Sequence, residues 1–106
     1  MKEEKLGTVR IAPGVLATIV RLTALSVEGV SRLGPGGMGK FLARETPGVK
    51  VHVEDNQVTV DLYIVAKRDA NLLQVGSQVQ QRVVEAIRHM VGMDARAVNV
   101  YIQDVD

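Results

Sequence analysis

Hydrophobic and polar positions along this chain repeat with two different periods, and the switches between them mark out the elements. Val9 and Ile11 share one face of a short strand candidate, Thr8–Ile11. Pro13 follows where a helix would start, because its missing N–H costs nothing in a first turn. Helical spacing then runs to about Glu28, with Gly29 as a natural C-cap residue. Val15, Leu16, Ile19, Val20, Thr23, Ser26 and Val27 fall on one broad face of this helix. Ala17, Thr18, Arg21, Ala24 and Leu25 fall on the other. That back carries fewer charges than a solvated helix face normally would.

Residues 31–48 break the pattern. Gly34, Pro35, Gly36, Gly37 and Gly39 hold no regular element, so a long glycine-rich loop is expected, with room for one helical turn around Phe41 to Arg44. The clearest signal comes next. Val49, Val51 and Val53 alternate with Lys50 and His52, and Val58, Val60, Leu62 and Ile64 alternate with Thr59, Asp61 and Tyr63. Alternation on both sides of Glu54-Asp55-Asn56-Gln57 predicts a β-hairpin. Placing Val53 opposite Val58 puts Val51 opposite Val60 and Lys50 opposite Asp61. The valines then share one face, and a cross-strand charge pair sits on the other.

Asn71 followed by Gln74 has the spacing of a capping box and opens a second helix. Leu72, Val75, Val79, Val83, Ala86, Ile87 and Met90 make its apolar stripe, and Gln74, Gln78, Gln81, Glu85 and Arg88 line the opposite side. Gly76 lies inside the stripe, where close approach of another backbone would explain it. Gly92 ends the helix, and Val98, Val100 and Ile102 alternate with Asn99, Tyr101 and Gln103 in a last strand. The expected class is α+β. The expected order is β-α-β-β-α-β, with two helices on one face of a mostly antiparallel sheet.

Composition narrows what such a scaffold can do. The chain has 106 residues, enough for one domain with one modest core. Phe41, Tyr63 and Tyr101 are its only aromatic residues, so that core must be aliphatic. The absence of cysteine removes disulfides, thiolate nucleophiles and Cys-ligated metals, and suits a reducing interior. The N-terminus carries charge with no apolar run behind it, so no signal peptide is expected. No stretch approaches the ~18 apolar residues of a membrane span. A formal net charge of +1 is far from the basic excess of most nucleic-acid binders.

The candidate chemistry is thin. Gly34 to Lys40 satisfies the first seven positions of a phosphate-binding P-loop, but Phe41 stands where a Mg²⁺-binding Ser or Thr is required. A weaker use of that loop is anion capture near Arg32, Lys40 and Arg44. His52 and His89 each lack a second metal ligand at local spacing. Ser26, Ser31 and Ser77 sit in no nucleophile elbow, and no paired carboxylates are visible. Catalytic residues, cofactors and metals are therefore not expected. Tyr63 and Tyr101 point to the polar sheet face, where a weak RNA- or ribosome-associated role is the alternative reading. The favoured interaction surface is Ala17, Thr18, Arg21, Ala24 and Leu25 together with Tyr63 and Tyr101, because charge-poor and Tyr-rich patches suit protein contacts.

The ordered residues also carry a resemblance. Leu6-Gly7-Thr8-Val9-Arg10-Ile11-Ala12-Pro13, a helix ending Val27-Glu28-Gly29-Val30, the hairpin Gly48–Val53 and Val58–Val65, then Met90-Val91-Gly92-Met93 and Val98-Asn99-Val100 together resemble the bacterial alkaline shock protein family. The resemblance covers residues 6–105, interrupted by the loop at 31–47. It implies a non-enzymatic, self-associating, protein-binding module of the envelope stress response. It also implies a homo-oligomer in the cytoplasm, in a family some of whose members are held at the membrane by a small membrane-anchored partner, with no direct membrane insertion. The family supplies no catalytic residues to carry over.

Overall fold

The structure, a computed structural model, describes residues 6–35 and 46–106. The elements are α1 (Pro13–Leu25), β1 (Val30–Leu33), β2 (Val49–Glu54), β3 (Gln57–Ala66), α2 (Leu72–Ala86) and β4 (Asp94–Val105). A π-helical turn, Ile87–Val91, prolongs α2. Gly92 at φ 77° then closes it, its N–H donating to the Arg88 carbonyl.

The α+β class, the two helices and a mostly antiparallel sheet are as the periodicity predicts. The hairpin register also holds residue for residue: Val53 faces Val58, Val51 faces Val60 and Lys50 faces Asp61. The ladder runs to Glu54 and Gln57, leaving Asp55 (φ 51°) and Asn56 (φ 64°) as a two-residue turn. Two left-handed residues in sequence give the backbone twist that adjoining strands require. Asp61 does not use its Lys50 neighbour. Its carboxylate accepts the Asn99 Nδ2 bond at 2.9 Å.

β3 is the spine of the sheet. β1 and β2 pair with it antiparallel, and β4 pairs with it in parallel, reached through the α2 crossover. β4 accompanies β3 from Gln57 to Ala66, so β1 and β2 must lie end to end along the other side. They meet at Tyr63, which takes the Gly34 N–H on its carbonyl at 2.7 Å and gives its own N–H to the Gly48 carbonyl at 2.9 Å. Gly48 is required there. At φ +81°, a Cβ on it would stand 2.7 Å from the Gly34 oxygen.

Both helices pack on the face carrying Val58, Val60, Leu62 and Ile64, each 0% exposed. Val20 and Ala24 of α1, and Val75, Val79, Val83 and Ile87 around α2, complete an aliphatic core. Each such Val, Leu or Ile contributes roughly 1.5–3 kcal/mol by leaving water. Asn71 caps α2 as expected, its Oδ1 accepting the Gln74 N–H at 3.0 Å.

Four expectations need correction. Thr8–Ile11 is not a strand: it pairs with nothing among the described residues, and Val9 is 93% exposed. Alternation supplies strand propensity, but a strand also needs a neighbour to fill its hydrogen bonds. The first strand instead follows α1, at Val30–Leu33, so the order reads α-β-β-β-α-β and the irregular segment is shorter than residues 31–48. β1 is only four residues between Gly29 and Gly34, too short for periodicity to register. Helix α1 stops at Leu25 rather than Glu28. Gly76 meets no backbone. Ile102 Cδ1, at 3.9 Å, is the nearest atom to a Cβ built there.

Candidate interaction surfaces

The described residues hold no buried polar or charged side chain. Nor do they bring three His, Cys, Asp or Glu residues together as a metal site. Half of their exposed large apolar side chains belong to α1 and the segment before it.

Helix α1 is rotated about its axis relative to the periodicity-based reading. Ala24, expected on the outer back, is 0% exposed and sits in the core, and Ala17 packs against that core. Val15, expected inside, is 46% exposed. Alanines at these two positions let α1 approach the sheet and α2 closely. The bulkier residues then point outward: Val15, Leu22 and Leu25, spaced seven and three apart, line the exposed side with Thr18. Arg21 is half-buried, and the Thr18 hydroxyl donates to the Gly14 carbonyl at 3.0 Å. Of the five expected α1 surface residues, Thr18 and Leu25 are exposed, Ala17 and Arg21 are partly so, and Ala24 is not. Leu22 was missed. Its neighbours gave no hint, because both sides of the helix are apolar.

Ahead of α1, Leu6, Val9 and Ile11 are exposed as well. Beneath the helix start, a cleft of about 430 Å³ lies between Pro13, Gly14, Leu16 and Ala17 on one wall and Thr46, Val51, His52 and Val53 on the other.

Tyr63 and Tyr101 do lie on the open sheet face, on neighbouring strands in register. Their rings stack on each other, with centroids 4.8 Å apart and planes 15° from parallel. His52 is exposed and lies 3.5 Å from Glu54, while His89 is exposed beyond α2. Residues 36–40 of the P-loop-like stretch, the candidate turn at Phe41 to Arg44, and Lys40 and Arg44 of the anion site all lie outside the described residues. Arg32, the third member of that site, faces Asp106 at 3.5 Å, and Ser31 also donates to the Asp106 carboxylate. Asp106 thus ties β1 to the end of β4.

Residues 1–106 match the alkaline shock protein 23 family, described by a cell envelope-related function. The chain belongs to this family. Among its relatives, uncharacterized protein YqhY of Bacillus subtilis (strain 168) is 27% identical, across 95% of this chain and 78% of that one. Uncharacterized protein Spy1614 of Streptococcus pyogenes serotype M6 (strain ATCC BAA-946 / MGAS10394) is 29% identical, across 95% of this chain and 89% of that one. Among solved structures, a MamM CTD superposes with a TM-score of 0.55 at 11% identity, covering 85% of this chain and 95% of that chain. A variant of the same CTD reaches 0.57 at 11% identity, covering 88% and 98%. At such identity the likeness is one of fold. None of the described helices is long and apolar enough to cross a membrane.

Proposed function

We propose that this family member is a self-associating, protein-binding module that acts in the envelope stress response at or near the cytoplasmic face of the membrane. It works by contact and carries out no catalytic step. The observation that carries this reading is the outward apolar side of α1, where Leu22 is 56% and Val15 46% exposed. Apolar surface gathered on one side of a small domain favours association, because covering it releases water from that surface. The family's envelope-related function supports placing its partners there. A small membrane-anchored protein would bring the module to the bilayer, since no described helix can span it.

The tyrosine stack favours protein contact over RNA. Each ring already gives one face to the other, and Asp61 precedes Tyr63 by two residues on the same sheet face, an unfavourable neighbour for phosphate.

Light scattering of the full chain at micromolar concentration, together with co-sedimentation of tagged protein with envelope membranes, tests the proposal. The expected result is a defined oligomer, with membrane recovery that falls on Leu22→Gln. A strict monomer absent from the membrane fraction overturns it.

A further inference from the structure

β4 is the longest strand, Asp94–Val105, and among the described residues it is paired along one side only. Its other edge presents unpaired backbone groups, an arrangement that proteins usually guard with charge, proline or brevity. β2, on the far flank, is guarded in this way: it is six residues long and carries Lys50, His52 and Glu54. β4 is not. Ala97-Val98-Asn99-Val100-Tyr101-Ile102-Gln103 contains no charge, proline or glycine and is rich in strand formers. Beside the bare edge, on the helix face, lies a groove of about 540 Å³ lined by Leu72, Leu73, Gly76, Val100 and Ile102. Leu73 is 84% exposed there, and the missing side chain of Gly76 keeps the groove open.

We propose that this edge pairs antiparallel with β4 of a second copy of the chain, about a two-fold axis at Val100. The inference rests on the self-association reading above and specifies its geometry. The regular stretch Ala97–Ile102 lies between two register shifts, one at Arg96 and one at Gln103. In the proposed pairing Val98 faces Ile102, so apolar meets apolar on the helix face, and Asn99 faces Tyr101 on the open face. The same register brings Arg96 of each copy to Asp104 of the other. Both side chains are exposed, and neither is ion-paired with a described residue of its own chain. This charge match selects a second copy as occupant. The contact is self-complementary and closes on itself. Leu73 of each copy then lines a seam between the two α2 helices. Gln80 Nε2 already donates to the Val98 carbonyl at 3.0 Å, and that oxygen keeps a second lone pair for the incoming strand.

Sedimentation equilibrium of the full chain and its charge variants provides the test. Arg96→Asp or Asp104→Arg alone sets like charges opposite each other at two places and should weaken the dimer about tenfold. The double variant should return to within about twofold of the parent. Val100→Cys adds a thiol to a cysteine-free chain. At the axis, two Cα atoms about 5.5 Å apart fall within disulfide range, so mild oxidation should give a covalent dimer. Single charge variants that associate as tightly as the parent overturn edge pairing while leaving self-association in place. Dispersal on deleting residues 1–11, with the charge variants unaffected, also overturns it and assigns the contact to the N-terminal segment. A parent chain that stays monomeric at every concentration removes the self-association reading itself.

Discussion

The two helices of this protein differ in how they divide their surface. Past its first turn, where Leu72 and Leu73 stay exposed, α2 separates its residues: Val75, Val79 and Val83 are buried, while Gln78, Gln81 and Glu85 face solvent. α1 buries Leu16, Val20 and Ala24 and still exposes Val15, Leu22 and Leu25. An amphipathic helix spends its apolar surface inside its own domain. A helix with apolar residues on both sides has surface left over, and the proposed function rests on that surplus.

The contrast makes predictions of graded size, each readable by urea unfolding followed by circular dichroism. Val79→Asp, which puts a carboxylate at a 0% exposed position of α2, should cost about 4 kcal/mol or more and leave little folded protein. Gly29→Ala should cost about 2–3 kcal/mol, because φ is +102° there and a Cβ would stand 2.5 Å from Val75 Cγ2 where the turn after α1 meets α2. Ala24→Leu distinguishes the two sides of α1. It should cost about 1–3 kcal/mol through overpacking, and a neutral result would mean that Ala24 faces outward after all. Asn71→Ala should cost about 1 kcal/mol by removing the cap of α2, with no effect on association. Leu22→Gln should change stability by less than about 0.5 kcal/mol while lowering self-association or membrane recovery, which separates the outward side of α1 from its core side.

Much of the fold was legible wherever one face of an element is apolar and the other polar. The hairpin register followed from period-two alternation, since a slip of one residue would have turned every valine from Val49 to Val60 toward water. The cap of α2 followed from Asn71 and Gln74. The candidate surface was less legible. Tyr63 and Tyr101 were placed on the open face by the same alternation, but their stacking depends on β4 pairing in parallel beside β3, and nothing local in the chain encodes that. Ala24 was misplaced because α1 offers no polar face against which to orient it.

What the sequence determined by itself was local: the two helices, the central hairpin and the last strand, which residues alternate, the aliphatic character of the core, and the lack of a recognisable catalytic set. Those features depend on neighbours within a few positions along the chain. Only the tertiary structure decided which side of α1 faces inward. It also left Thr8–Ile11 without a strand partner among the described residues and put β4, with its uncharged run, at the edge of the described sheet. These are outcomes of competition between distant segments for the same sheet and the same core. A strand-like stretch becomes a strand only where another strand has an edge to offer. An apolar helix face becomes core only where the alternative face packs less closely. The missing catalytic set thus directs attention to surfaces, and the two proposals above rest on the apolar side of α1 and on the edge of β4 that is unpaired among the described residues.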